Sequence, residues 1–291
     1  MPHSRTFIPA PVPSVLLAIV SVQGGAAIAK GLFPVLGAAG TVGLRIGISA
    51  ALLLLAVRPR LGQLRAAQWR AVVPYGLALG TMNFLFYCAL ARIPLGLAVT
   101  LEFVGPLAVA LAGSRRWADV VWVLLAGAGI ALLAPWGGSN LDMLGMLFAL
   151  LAGGAWAMYI VLGGRVAAVL PGPRGVAVGL LFASLAVLPL SVAAGGWAHL
   201  TPRLLAAGTA LAVLSSALPF TLEMNALRHL PSRTFSILMS LEPAAAAVCG
   251  LVFLHERLTL AQWLAVALVM AASAGATRTA RPAPAPAVGG E

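Results

Sequence analysis

The sequence predicts an all-α polytopic membrane protein whose ten transmembrane helices form two inverted five-helix repeats. Composition, the spacing of apolar stretches and an internal repeat lead to this prediction. Of the 291 residues, 61% are hydrophobic and only 9% are charged, whereas an ordinary soluble domain has about 25% charged residues. The connections between the apolar stretches are too short to hold a soluble domain, so we expect nearly the whole chain to lie in the membrane.

Ten stretches are long enough to cross a bilayer, which takes about 20 mainly apolar residues. The first stretch also resembles a cleavable signal peptide, because Arg5 precedes its apolar run. Cleavage would leave nine stretches and break the repeat described below, so we expect this segment to remain. We expect the Pro- and Ala-rich end, residues 278–291, to be a disordered cytoplasmic tail. The ten stretches are roughly residues 13–33, 37–57, 71–91, 95–113, 118–135, 143–162, 175–194, 204–227, 233–254 and 260–277.

The distribution of arginines predicts the orientation of the chain. A net charge of +11 could indicate a nucleic-acid partner. The arginines, however, are concentrated in every second connection between the predicted spans. Cytoplasmic connections of membrane proteins are enriched in Lys and Arg. If the N-terminus is cytoplasmic, thirteen arginines lie on the inside, and only Arg92, Arg203 and Arg257 lie outside. We therefore predict that both termini are cytoplasmic and that no nucleic acid is bound.

The two halves of the chain match at an offset of 137 residues. Five helices per half is an odd number, so the second copy would enter the membrane in the opposite orientation. Inverted repeats place a binding site near the bilayer midplane and allow alternating access to it. We predict repeats at residues 13–135 and 143–277. The matching positions are 89–94 with 226–231, Pro106 with Pro243, and Asp119 with Glu256.

Five charged residues lie inside the predicted spans: Glu102, Glu223, Glu242, Lys30 and Arg45. A charge at the bilayer centre costs at least ~2.5–3.5 kcal/mol, so such residues face the bundle interior and often mark a pathway. Each glutamate lies within four residues of a proline, and proline interrupts helical hydrogen bonding. Irregular backbone at this depth is tolerated where it is buried in protein or lines a wet cavity. These charges are therefore the candidate site.

An amino-acid zwitterion matches this set of charges. Lys30 or Arg45 could bind the carboxylate, one glutamate the ammonium group, and a second, desolvated glutamate could exchange a proton. The alternatives are structural ion pairs for the glutamates and extension of Lys30 to the membrane surface. Further polar and aromatic residues are candidates for lining the cavity, with packing or helix–helix hydrogen bonding as their other role. They are Gln23, Asn83, Tyr87, Trp156, Tyr159 and Asn225.

The sequence argues against an intramembrane enzyme. A serine protease would need a histidine at membrane depth, and all four histidines fall in tails, connections or span ends. An aspartyl protease would need two intramembrane aspartates, whereas Asp119 and Asp142 fall in connections. Carboxylates and histidines do not occur at the spacing of metal ligands, and Cys88 and Cys249 lie within separate spans. We predict no enzyme activity, no cofactor, no metal site and no disulfide.

Several runs resemble a known family of carriers. Residues 241–243 with residues 253–263 resemble the end of the EamA domain of the drug/metabolite transporter superfamily. Residues 23–30, 101–107 and 217–224 resemble the threonine/homoserine exporters of that superfamily. The resemblance implies a bacterial inner-membrane efflux carrier for threonine, homoserine or related small amino acids and analogues, driven by proton exchange. It leaves open efflux of other small metabolites or drugs, and whether the chain forms a homodimer.

Overall fold

The computed structural model describes residues 10–112, 117–133, 142–170, 173–230 and 232–279, and within these ranges it has helices but no β-strand. The expected tail lies, from residue 280 onward, outside the described residues. Short 3₁₀ helices occupy Leu61–Gln63 and Gly196–His199, and a π-helix occupies Val213–Ala217. The α-helices are α1 (Pro11–Val57), α2 (Ala66–Leu90), α3 (Leu95–Glu102), α4 (Val104–Ala112), α5 (Trp117–Leu133), α6 (Met143–Val169), α7 (Pro173–Ala193), α8 (Pro202–Ala212), α9 (Leu218–His229), α10 (Ser232–Met239), α11 (Glu242–Leu254) and α12 (Leu260–Thr279).

Helix α1 consists of two helical segments that meet at Gly37. Its 47 residues would extend about 70 Å if straight, more than twice the ~30 Å apolar thickness of a bilayer. Gly37 has φ 68° and ψ 169°, and Pro34 lies just before it. Proline lacks an N–H group and glycine tolerates positive φ, so the helix breaks here. The break falls at the predicted boundary between the first two apolar stretches.

Within the described ranges, seven helical segments are long and apolar enough to cross a membrane. The sequence predicted ten, and three local features account for the difference. The two segments of α1 form one continuous element, α5 contributes only a shorter apolar helix, and the π-helix separates α8 from α9. A π-helix is a local irregularity, frequently found at functional sites, that a hydropathy pattern does not show. The seven segments are residues 11–57, 66–90, 95–112, 143–169, 173–193, 234–254 and 260–278.

Small residues allow the two halves of the chain to pack backbone against backbone. Helix α3 packs against α11, where a Cβ added to Gly96 would lie 2.7 Å from the Cα of Ala247. Helix α2 packs against α7, where a Cβ added to Gly80 would lie 3.0 Å from the Cα of Ala183. Close approach at small residues is the usual way that helices associate in lipid. The largest buried cluster includes residues from Ala26 to Val269, so the main core lies between the halves.

Candidate functional site

Two of the three predicted glutamates lie at helix ends, and the third lies in the helix that follows the π-helix. Glu102 is the last residue of α3, and Glu242 is the first residue of α11. Glu223 lies within α9, which begins at Leu218, directly after the π-helix. Pro106 lacks the N–H that would bond the carbonyl oxygen of Glu102, and Pro243 occupies the first turn of α11, where proline is tolerated. The sequence thus positions Glu102 and Glu242 where the backbone is irregular, and Glu223 beyond a third irregular segment.

The glutamates form one electrostatic cluster. Glu102 interacts with Glu242 and with Arg45, and Glu242 interacts with Glu223. Glu102 and Glu242 are only 7% and 8% exposed. Within the described residues, no hydrogen bond or ion pair satisfies any of the three carboxyl groups. A buried carboxylate without a partner is costly, so this cluster is suited to binding a cation or a proton.

Arg45 supplies the positive charge of the cluster. Its guanidinium donates a hydrogen bond to Oδ1 of Asn83, and its Cζ lies 5.1 Å from the centre of the Tyr87 ring. The amide nitrogen of Asn83 donates to the carbonyl oxygen of Leu79 at 2.8 Å, which fixes the orientation of this amide. Nε of Arg45, the hydroxyl of Tyr87 and Oε1 of Gln23 are buried and have no hydrogen-bond partner in the part of the chain that the structure describes. Arg45 is therefore held on one side and retains a donor for an anionic group.

Lys30 does not join this cluster, contrary to one of the two roles expected for it. Its Nζ lies 2.6 Å from Oε1 of Glu256 and 2.9 Å from the carbonyl oxygen of Ile93. Oε2 of Glu256 accepts a hydrogen bond from the amide of Leu95 at 2.7 Å. This network joins α1 to the start of α3 and to the connection before α12. Lys30 is thus a partner in an ion pair between the halves, and Arg45 is the cation near the glutamates.

A cavity of ≈ 510 Å³ lies beside Glu223. Its polar residues are Ser49, Ser215, Ser216, Tyr159 and Glu223, and the other lining residues are apolar or proline. The hydroxyl groups of Ser49 and Ser216 are 3.1 Å apart, so they connect α1 to the π-helix. The hydroxyl of Ser215 is buried without a partner. The irregular segment before Glu223 therefore presents hydroxyl groups to the cavity.

The remaining predicted residues take different places. Trp156 packs edge-on against Phe103, with ring centres 5.3 Å apart, next to the break that follows Glu102. Tyr159 lines the cavity and accepts a hydrogen bond from the hydroxyl of Tyr75 at 3.2 Å. The side chain of Asn225 lies outside the described part of the structure. Tyr75, Ser49 and the pairing of Glu256 were not identified from the sequence. Glu256 was noted there only as a repeat position that matches Asp119.

A helical membrane bundle with a buried, partly unpartnered charged site defines a transporter. Comparison with known proteins agrees with this class. The chain is 46% identical to the threonine/homoserine exporter RhtA of Escherichia coli (strain K12) over 97% of this chain and 96% of that protein. It is also 46% identical to RhtA of Salmonella typhimurium (strain LT2), over 98% of this chain and 97% of that protein.

A family model for EamA-like transporters matches residues 143–278. The chain therefore belongs to the EamA-like transporters, in the family of the threonine/homoserine exporters. It is 27% identical to an uncharacterized transporter, YwfM of Bacillus subtilis (strain 168), over 79% of this chain and 80% of that protein. A crystal structure shares the fold, with a TM-score of 0.57 and 21% identity over 92% of this chain and 97% of that one.

Proposed function

We propose that this protein exports threonine, homoserine and related small amino acids across the inner membrane of a bacterium. The observation that carries the proposal is 46% identity to exporters of these amino acids along 97% of the chain. The buried site supports it, because the site contains both charges that a zwitterion needs. Arg45 supplies a cation whose Nε is buried without a partner among the described residues, and Glu102, Glu223 and Glu242 supply carboxyl groups that form no hydrogen bond or ion pair over the same ranges.

We assign roles in this site by charge and position. Arg45 binds the substrate carboxylate, because guanidinium groups hold carboxylates through charge-assisted hydrogen bonds. Glu242 binds the ammonium group, since it is buried and interacts electrostatically with both other glutamates. Glu223 exchanges the proton, because it lines the cavity together with the hydroxyl groups of Ser215 and Ser216. Substrate efflux would then be coupled to proton entry.

We further propose ten membrane spans in two inverted five-helix repeats. The break at Gly37 divides α1 into two spans, and α8, the π-helix and α9 together form one. The helix contacts are consistent with the repeat: α1 packs against α9 and α11, just as α6 packs against α2 and against α3 with α4. Gly25 of α1 and Gly153 of α6 belong to similar Gly-Gly-Ala runs, at residues 24–26 and 153–155, near the front of each half. Each approaches an irregular segment of the other half, near Ser215 and near Glu102 respectively.

Alternating access would use the two ends of this bundle unequally. The cavity reaches Ala56 and Val176, within a few residues of the last residue of α1 and the first residue of α7. In the ten-span arrangement this is the side of the termini, which the arginine distribution assigns to the cytoplasm. The opposite end holds two ion pairs, the partly buried Lys30–Glu256 and the more exposed Arg92–Asp142, whose charged atoms are 2.6 Å and 2.7 Å apart, and we assign the closure of this end to the first pair. This conformation would receive substrate from the cytoplasm.

Transport by purified protein in liposomes tests the function directly. Liposomes containing labelled threonine, homoserine, alanine and an apolar drug would be compared with and without a pH gradient. We expect threonine and homoserine efflux to be accelerated by the gradient, and a counterflow of threonine at equal pH. Transport of the drug without transport of any amino acid would contradict the proposal. Gradient-independent amino-acid efflux would contradict the proton coupling alone.

Cysteine labelling tests the arrangement of spans. Single cysteines at position 62 and in the tail, in a chain lacking Cys88 and Cys249, should resist an impermeant maleimide added to intact cells. Cysteines at position 195, in the connection before α8, should react. Labelling at position 62 from outside would rule out the proposed orientation.

A further inference from the structure

A second cavity, of ≈ 450 Å³, lies at the end of the bundle where α1 ends and α7 begins. Its lining includes Arg58, Arg60 and Gln63 from the connection between α1 and α2. Gln68 from the start of α2 and Arg174 from the start of α7 complete the polar lining. Two distant segments of the chain therefore contribute its three arginines. The site assigned to amino-acid transport uses none of them.

The walls of this basic pocket are fixed by packing and hydrogen bonds. Leu61 and Leu64 pack against a buried cluster that includes Tyr75 and Val166. Gln68 donates from Nε2 to the carbonyl oxygen of Val169 at 2.9 Å, and its Oε1 accepts from the amide of Arg65 at 2.9 Å. These contacts join the α1–α2 connection to the end of α6. The pocket is thus a defined feature of the fold.

Arg58 is held in an unusual backbone conformation at the edge of the pocket. It has φ 46° and ψ 56°, in the left-handed region that non-glycine residues seldom adopt. Its amide donates to the carbonyl oxygen of Leu54 at 2.8 Å, so the residue ends α1 and turns the chain into the pocket wall. A left-handed residue commonly ends a helix, so this conformation fixes where Arg58 lies at the edge of the pocket.

The charges of the pocket are not balanced. No carboxylate occurs among the described residues that line it, and every position from 46 to 101 lacks Asp and Glu. Over the described ranges, the guanidinium groups of Arg60 and Arg174 have no hydrogen-bond or ion-pair partner. Three cations that share a cavity repel one another, so an anion placed among them would be stabilised.

The arginine side chains and the level of the pocket at the helix ends together indicate a phosphate as the anion. Arginine forms paired hydrogen bonds with phosphate oxygens, for which its planar donor fork is suited. The pocket lies where the apolar helices α1 and α6 end, at Val57 and Val169, and where α7 begins. Lipid headgroups lie at this level, and basic pockets between helices on the cytoplasmic side bind anionic headgroups.

We propose that this pocket binds a phosphate group, supplied either by the headgroup of an anionic phospholipid or by soluble phosphate. The phosphate contacts Arg58 and Arg60 from one half of the chain and Arg174 from the other. Arg58 and Arg174 each lie two residues from a lining residue of the transport cavity, Ala56 and Val176. The bound phosphate therefore connects the halves beside the cavity.

The test uses full-length protein, purified and delipidated in a neutral detergent. It is titrated separately with cardiolipin, with phosphatidylethanolamine and with inorganic phosphate. Binding is measured by native mass spectrometry and by the change in melting temperature. The pocket variant Arg58→Gln/Arg60→Gln/Arg174→Gln is compared with the wild type and with a control of equal charge, Arg70→Gln/Arg203→Gln/Arg278→Gln. None of the control positions lines the pocket.

We expect cardiolipin to bind the wild type and the control, and to bind the pocket variant at least about tenfold more weakly, a difference of about 1.4 kcal/mol. If inorganic phosphate shows the same dependence on the three arginines, a soluble phosphate can occupy the pocket. If only the lipid does, the headgroup is the source. Both results support the proposal, whereas equal binding of both ligands by all three proteins overturns it.

A second measurement needs no variant and so does not depend on correct folding of a mutant. Wild-type protein is treated with phenylglyoxal, which modifies arginines, and modified sites are quantified by peptide mass spectrometry. Cardiolipin or phosphate should slow modification of Arg58, Arg60 and Arg174, but not of Arg70 or Arg278. Uniform rates at all five positions in the presence and absence of both ligands would overturn the proposal.

Discussion

Breaking the pair between Lys30 and Glu256 should open the end of the bundle opposite the transport cavity. The two side chains are only 23% and 14% exposed, and their charged atoms are 2.6 Å apart. Replacing Glu256 by Gln removes the negative charge but retains an oxygen for the amide of Leu95. A hydrogen bond to a charged group contributes ~1.5–3 kcal/mol. Since about 1.4 kcal/mol corresponds to a factor of ten, the ratio of closed to open conformations at this end should fall roughly tenfold to a hundredfold.

Cysteine reactivity in detergent measures this shift without reference to membrane sidedness. Ile93 is 1% exposed and its carbonyl oxygen accepts a hydrogen bond from Lys30, so a cysteine there should react only when this end opens. In a chain lacking Cys88 and Cys249, Glu256→Gln should accelerate maleimide labelling of Ile93→Cys by about tenfold or more. The exchange Lys30→Glu/Glu256→Lys reverses the ion pair but loses the hydrogen bonds to the carbonyl of Ile93 and from the amide of Leu95, so it should restore only part of the protection.

A matched control lies at the same end. The pair of Arg92 and Asp142 has a similar distance, 2.7 Å, but its side chains are 41% and 35% exposed. Exposed pairs contribute little because water screens them, so Arg92→Gln should change the labelling rate far less than Glu256→Gln. If both substitutions had equal effects, or if Glu256→Gln left the rate unchanged, Lys30 and Glu256 would not be the closure.

Three further comparisons of variants test the site and its packing. Glu223→Gln should abolish gradient-driven efflux but keep threonine counterflow at equal pH, whereas Glu242→Gln should abolish both. Identical phenotypes would contradict the separate roles. Arg45→Lys should weaken threonine binding about tenfold, since one charge-assisted hydrogen bond contributes ~1.5–3 kcal/mol. Binding of threonine amide, which lacks the carboxylate, should be nearly unchanged. An equal loss of affinity for both ligands would exclude a contact between Arg45 and the carboxylate. Gly105→Ala should destabilise the protein by ~1–3 kcal/mol, because the new methyl group would collide with the backbone of α6. Gly154→Ala should not destabilise it, because no atom lies within 4 Å of the added Cβ. Thermal unfolding measures the stability of both variants.

Much of the candidate site could be predicted because membrane burial makes charges conspicuous. Glu102, Glu223 and Glu242 stand out in apolar segments, and a nearby proline indicates an irregular helix at each of them. The structure has helix ends at Glu102 and Glu242, and a π-helix before Glu223. Local chemistry determines these features, since the missing N–H of proline acts within four residues of its own position.

Pairing between distant residues could not be predicted in this way. By sequence, Lys30 and Arg45 were both candidates for binding the substrate carboxylate, but Lys30 contacts Glu256, 226 positions away, and Arg45 interacts with Glu102. Which cation meets which carboxylate depends on how the two halves pack, at contacts such as Gly96 against Ala247.

The sequence by itself determined that the chain is a helical membrane protein, where its apolar segments lie and which charges are buried. Composition, segment length and proline position are local properties that need no knowledge of contacts. Only the tertiary structure decided that Lys30 pairs with Glu256, that Arg45 stays beside the glutamates, and that Arg58, Arg60 and Arg174 share a pocket. These arrangements arise from the packing of helices distant in sequence, and a linear pattern carries no signal for that packing.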